Sequence, residues 1–287
     1  MKQRIITGAI FAALVMVVLF FSHTWVYPAV ILLLSIVGAS EMLRCVGVWK
    51  ELLLSVPSML YAALCPFLAM EYRYGVLMAA TMGYLFIMLF MLVFAHEKVN
   101  TERVCTAYTM IVYITICFVC LIRLRYVTTE TGMDTGRMVG QYIYLLVFIA
   151  AWITDTFAYF TGVFFGKHKL CPKISPKKTI EGSLGGIAFC VLAFLIYGVV
   201  VSRMFPLEPN YLGLAAVGLV MSMLSQVGDL LASVIKRTYG VKDYGKLFPG
   251  HGGVLDRFDS VLLLAPFLLA LVEDAQFLQL IFQVAAQ

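Results

Sequence analysis

Charge is scarce in this chain. Asp, Glu, Lys and Arg make up 13% of its 287 residues, about half the share usual in soluble domains. Hydrophobic residues reach 62%, and mean hydropathy is +0.94. That balance excludes a soluble globular protein. The seven cysteines (45, 65, 105, 117, 120, 171 and 190) follow no disulfide framework and no zinc spacing. Cys117 and Cys120 form a C-x-x-C inside an apolar run, without a redox fold around it, and read as small packing residues one turn apart. Walker A, G-x-S-x-G and H-E-x-x-H motifs are all lacking, and there is no internal repeat. No nucleic-acid partner is expected.

What the chain does have is long apolar runs. A helix needs roughly 20 residues to cross a hydrocarbon core of about 30 Å. Nine such spans are expected, near 5–22, 25–43, 52–70, 75–95, 104–122, 142–163, 184–205, 211–233 and 260–281. The fold class is therefore all-α: a polytopic membrane protein of about nine transmembrane helices. The first run resembles a signal peptide, but its length and the lack of a small-x-small site after it read as a retained span. The last is the weakest, being interrupted by Glu273 and Asp274. With the N-terminus cytoplasmic and the spans alternating, sixteen of the twenty-one Lys and Arg residues fall on the cytoplasmic side. This predicts an N-in, C-out topology. Trp25, Tyr27 and Trp49 fall near the predicted interfaces, as an aromatic belt would. Residues 1–140 have short, plain loops and read as a scaffold. Residues 141–287 carry two long cytoplasmic loops, 164–183 and 234–259, and read as the catalytic region, although both parts could form one integral body.

The polar chemistry concentrates in that second part. Loop 164–183 contains GKHKLCPKISPKKTIEGS, in which five lysines, Ser175, Thr179 and Gly182 suit a polyanion. Lysines alone would serve topology and anionic headgroups, but Pro172 and Pro176 point to a loop held in one shape. Asp155 lies within span 6 and Asp229 within span 8. An ionised carboxylate in a span costs about 2.5–3.5 kcal/mol on insertion scales, so it is a functional candidate by default. Asp229 lies about 27 Å into its helix at 1.5 Å per residue, near the cytoplasmic end. Ser222, Ser225 or Gln226, Asp229 and Ser233 recur at helical spacing as one polar stripe. Asp155, Tyr159, Gly162 and Gly166 form another. The alternative for each stripe is a polar contact between helices.

The stretch KRTYGVKDYGKLFPGHGGVLDRFDS, Lys236 to Ser260, is the most polar of all. Asp256 and Asp259 share a face if helical and can converge on one cation. A hard ion such as Mg²⁺ takes carboxylate oxygens together with substrate phosphates. Gly250, Gly252 and Gly253 around His251 allow close backbone approach. Lys236, Arg237, Lys242, Lys246 and Arg257 can neutralise phosphate. Together these residues describe carboxylates near the cytoplasmic interface holding a metal, basic loops holding a polyphosphate, and a lipid reached sideways from the bilayer. Phosphoryl and nucleotidyl transfer need little beyond such positioning and charge neutralisation.

Ser233 to Ser260, SVIKRTYGVKDYGKLFPGHGGVLDRFDS, resembles the signature of the phosphatidate cytidylyltransferase (CDP-diacylglycerol synthase) family. That signature is Ser, an apolar residue, Lys-Arg, then Lys-Asp, then Pro or Gly before His-Gly-Gly, then Asp-Arg-x-Asp. DTFAYFTGVFFGKHKLCPKISPKKTIEGS is similar to the family's second block, with its Ser-Pro-Lys-Lys-Thr-x-Glu-Gly core. The two blocks cover about a fifth of the chain, and residues 1–140 carry nothing diagnostic. The resemblance implies transfer of CMP from CTP to phosphatidate, giving CDP-diacylglycerol and diphosphate in phospholipid biosynthesis. It also implies Mg²⁺ with K⁺ beside it, a homodimer, and a bacterial inner membrane with the active site facing the cytoplasm. By resemblance, Asp229, Asp256 and Asp259 would bind metal, supported by Asp155. Lys177, Lys178, Lys236 and Arg237 would bind the phosphates of CTP and lipid, with Lys242 and Arg257 beside them. Ser175, Thr179, His251, Gly252 and Gly253 would shape the pocket. Two alternatives stand: a CTP-dependent enzyme acting on another lipid, and a non-enzymatic transporter of anionic lipids that releases no diphosphate.

Overall fold

The structure is a computed structural model that describes residues 13–70, 74–95, 97, 100–127, 135–204, 207–273 and 278–284. After a helical stretch over 13–20 (α1) come α2 (Val26–Val46), α3 (Leu52–Ala69), α4 (Tyr74–Phe94), α5 (Thr101–Arg125), α6 (Thr135–Phe165), α7 (Ile180–Met204), α8 (Tyr211–Thr238) and α9 (Leu255–Glu273). Among the described residues, the seven helices α2 to α8 are long and apolar enough to cross a membrane. The protein is a polytopic helical membrane protein. Most of predicted span 5–22 lies outside the described residues, as do Lys2, Arg4, Arg73, Lys98 and Asp274.

The helix ends follow their capping residues. Gly47 at φ 85° closes α2 in the left-handed conformation, its N–H reaching the Leu43 and Arg44 carbonyls. Side chains of Asn100, Thr179 and Asn210 accept N–H groups at the starts of α5, α7 and α8, each satisfying a donor that the helix leaves orphaned. Helices α6, α7 and α8 begin or end several residues beyond their predicted spans, because apolar content marks the membrane core and not the capped end of the helix.

The fold is all-α as expected, with two short strand pairs among the described residues, and two other expectations are corrected. Strands β1 (Lys169–Cys171) and β2 (Ser175–Thr179) pair antiparallel, as do β3 (Leu207–Pro209) and β4 (Phe282–Val284). The final helix runs Leu255–Glu273 and not 260–281. It starts earlier because Asp256 sits favourably in a first turn, and residues 282–284 are extended and paired with β3. Tyr27 is no interfacial belt residue. It is fully buried and donates its hydroxyl to the Leu121 carbonyl, whereas Trp25 is exposed.

The chain divides into two compact units: Met1–Arg123 with Ile235–Phe258, and Leu124–Val234 with Asp259–Gln287. In the first, α2, α3 and α4 pack in sequence around Tyr27, Met42, Leu43, Leu54, Ile114 and Phe118. Hydroxyls cross between helices there: Ser35 donates to the Ala62 carbonyl, and Ser58 shares a hydrogen with Tyr84. In a lipid environment, such contacts and close packing hold helices together where no hydrophobic force between them exists. In the second unit, α6 and α7 make the closest association, and glycines permit it. A Cβ at Gly182 would stand 2.6 Å from the Ala158 carbonyl oxygen, and one at Gly186 2.9 Å from that of Thr154.

Candidate active site

The second unit encloses a cleft of about 430 Å³, a size that suits a small molecule or headgroup. Helix α6 contributes Asp155, Tyr159 and Gly162. The β1–β2 hairpin contributes Lys169, Lys177, Lys178 and Thr179. Helices α7 and α8 contribute Gly182, Ser183, Gln226 and Asp229. Both predicted stripes are therefore real faces of their helices, and each divides between structure and cleft. On α8, Ser222 accepts a hydrogen bond from Thr154 at 2.9 Å, a helix–helix contact, while Asp229 opens into the cleft. On α6, Gly166 sits against Thr179, while Asp155 and Tyr159 line the cavity.

The main charge contact of the cleft is Lys178 Nζ to Asp229 Oδ2, 2.5 Å apart, with both side chains about a quarter exposed. The ammonium forms an ion pair there without hydrogen-bond alignment, and it is otherwise buried with no partner. Thr179 is buried and caps α7 through its hydroxyl. Ser175 pairs with Cys171 across the hairpin, and Lys177 is exposed. A Ser-Pro-Lys-Lys-Thr run that lacks apolar alternation thus folds as a strand, which aims lysines at the cavity. The hairpin is clasped at its base by Glu181. This carboxylate accepts the Lys167 N–H at 3.1 Å and the His168 N–H at 3.2 Å, and lies 2.6 Å from His168 Nδ1. Asp155 Oδ2 receives the Ser260 hydroxyl at 3.4 Å. Asp259 accepts the Ser260 N–H.

The first unit holds the rest of the signature stretch. Asp256 lies in the first turn of α9 and is buried, while Asp259, also helical, belongs to the second unit. Asp256 Oδ1 accepts from Lys236 Nζ at 2.7 Å. Its Oδ2 accepts the Tyr244 N–H at 2.8 Å and the Gly253 N–H at 2.9 Å. This one carboxylate ties the end of α8, the following loop and the glycine turn together. Gly252 has φ 81°, and a Cβ there would stand 2.6 Å from Asp256 Oδ2, so only glycine fits. His251 is half-buried, and its Nδ1 is buried without a hydrogen-bond partner among the described residues. Arg237, Lys242 and Arg257 are exposed. Sequence reasoning missed Glu41, Glu181 and Tyr244. Glu41 carried a readable signal, a carboxylate inside a predicted span. Tyr244 acts through its backbone and carried none.

Lysines facing carboxylates in one cleft make a chemistry that can receive phosphate groups. Comparison with known proteins decides the family. Residues 2–274 match the profile of the cytidylyltransferase family. The chain belongs to the cytidylyltransferase family. It is 35% identical over 278 residues to the phosphatidate cytidylyltransferase of Bacillus subtilis (strain 168), covering 93% of this chain and 96% of that one. It is also 48% identical over 132 residues to the phosphatidate cytidylyltransferase of Staphylococcus epidermidis (strain ATCC 12228 / FDA PCI 1200), covering 46% of this chain and 49% of that one. As a member of this family the chain is a nucleotidyltransferase. Among the described residues, no group of three or more His, Cys, Asp and Glu is placed to hold a metal ion. The cleft of the second unit does offer two carboxylates, Asp155 and Asp229, and no thiol or imidazole among its lining residues. That donor set fits Mg²⁺, which takes one or two carboxylates and completes its shell with water and substrate phosphates.

Proposed function

We propose that this chain is a phosphatidate cytidylyltransferase, transferring CMP from CTP to phosphatidate and releasing CDP-diacylglycerol and diphosphate. One observation carries the reading: the hairpin lysines and two membrane-helix carboxylates line a single cleft, in a chain aligned along 93% of its length with an enzyme of that name. A phosphate oxygen of the lipid forms a bond to the α-phosphorus of CTP, and the bond from that phosphorus to the β-phosphate bridge breaks. A phosphate monoester is already ionised near neutral pH, so no strong general base is required. Lys177 and Lys178 neutralise the phosphate oxygens, and Lys169 adds charge at the rim. Thr179 and Gly182 keep the hairpin at the start of α7. Asp155 and Asp229 would hold Mg²⁺, with Asp259 as a further ligand. Bound there, the ion would withdraw charge from the phosphates. Asp256 keeps its proposed role as a metal ligand, which it takes up only by sharing the oxygens that now hold Lys236, Tyr244 and Gly253. Lys236, Arg237, Lys242, Arg257 and the His251-Gly252-Gly253 turn are proposed to contact substrate. K⁺ beside the divalent ion completes the proposed cofactor set.

The finer architecture belongs to the same proposal. It comprises nine spans, N-in and C-out, with 1–140 as scaffold and 141–287 carrying the reacting groups. The protein would be a homodimer in a bacterial inner membrane, its cleft facing the cytoplasm. The test is purified protein in detergent with CTP, Mg²⁺ and phosphatidate. CDP-diacylglycerol and diphosphate are expected in equal amounts. Turnover only with another lipid phosphate, or lipid transport without diphosphate, would replace this reading with one of its two alternatives.

A further inference from the structure

Glu41 is an acidic residue in the C-terminal third of an apolar helix, only 4% exposed. Burying a carboxylate is costly unless its oxygens are satisfied, and here both are. Oε1 accepts the Val254 N–H at 3.0 Å, and Oε2 accepts the Leu255 N–H at 2.9 Å. These amides belong to the N-terminal end of α9, where N–H groups have no partner within the helix and a negative charge is favoured. The preceding amide, that of Gly253, goes to Asp256. Three consecutive N–H groups are thus divided between two buried carboxylates, one 213 residues distant in sequence and one within α9 itself. Gly245 and Gly253 press against the Glu41 carboxylate so closely that a Cβ at either would overlap its oxygens.

We infer that Glu41 is a positioning residue for the His251–Asp256 turn, setting the attitude of Asp256 and, through it, of the Lys236 ammonium. The inference rests on the proposed cytidylyl transfer only for its activity readout. Glu41 touches no reacting group. It fixes the amides from outside, and the two glycines admit it. A carboxylate that merely stabilised the fold would lower thermal stability without changing the turnover of the molecules that stay folded.

The test compares full-length Glu41→Gln, Glu41→Asp and Gly253→Ala with the parent in detergent, normalised to folded protein. Glu41→Gln turns one acceptor into an NH₂ that faces an N–H donor. It is expected to lower kcat by about tenfold or more with KM for CTP within about threefold. Glu41→Asp recovers part of that loss. Gly253→Ala shows the same kcat defect, and adding it to Glu41→Gln costs little more, since the two act on one contact. Hydrogen exchange of the peptide spanning 250–258 is expected to quicken by about tenfold in Glu41→Gln. Parental kcat in Glu41→Gln, or a loss wholly accounted for by unfolded protein, overturns the inference. Should the parent itself make no CDP-lipid, the functional proposal fails and exchange decides alone. Unchanged exchange over 250–258 then overturns the positioning role too.

Discussion

Lys236 and Asp256 form a pair with side-chain exposures of 13% and 3%. Removing either partner strands the other charge in a poorly solvated place, which typically costs about 3–5 kcal/mol. Lys236→Ala is therefore expected to lower the denaturation midpoint sharply, and Lys236→Ala with Asp256→Ala less than the sum of the two changes, as a double-mutant cycle would show. Additive losses would mean the pair is not coupled. Lys178 behaves differently, because its partner is about a quarter exposed and the ion pair is partly screened. Lys178→Ala should leave stability nearly unchanged and raise KM for CTP by about tenfold, the size of one lost charged hydrogen bond. Single residues were legible wherever charge stood in an apolar context. Asp155 and Asp229 were found by that rule, and the hairpin lysines by their density in one proline-containing loop. Glu41 obeys the same rule and was passed over, because its partners are backbone amides more than two hundred residues away.

Helices α6 and α7 make the walls of the cleft through glycine. A Cβ at Gly185 would run into the Thr161 side chain, and one at Gly186 would meet the Thr154 carbonyl oxygen at 2.9 Å. Gly186→Leu forces the helices apart, so it is expected to lower thermal stability and to abolish turnover together. Retained activity would show that the α6–α7 spacing does not shape the site. Seven of the predicted spans, those that became α2 to α8, were legible because hydropathy reports the membrane core directly. The element ends were not. The β1–β2 hairpin carries Lys169, Lys177 and Lys178 to the cleft, yet its sequence has no period-two apolar pattern to announce a strand. Likewise α9 starts at Leu255 because its orphaned N–H groups find Glu41, a contact no local pattern encodes.

At the scale of the whole molecule, the excess of Lys and Arg on one side of the proposed topology predicts a hairpin that faces the cytoplasm. Cys171, in β1, is part-exposed. In a variant retaining only that cysteine, a membrane-impermeant maleimide should label inverted vesicles and leave right-side-out cells unlabelled; the opposite pattern would reverse the topology. The family and the helical membrane fold were readable from the sequence at this scale. The division into two units was not, since the first unit borrows Ile235–Phe258 from far along the chain. What the account requires above all is that the acid-and-lysine cleft is where CMP is transferred. The most direct measurement is the rate of CDP-diacylglycerol formation by Asp229→Asn, a change that keeps the side chain's size and removes its charge. The account predicts a loss of about a hundredfold or more in kcat with the fold intact; a variant that turns over CTP and phosphatidate at the parental rate would contradict it.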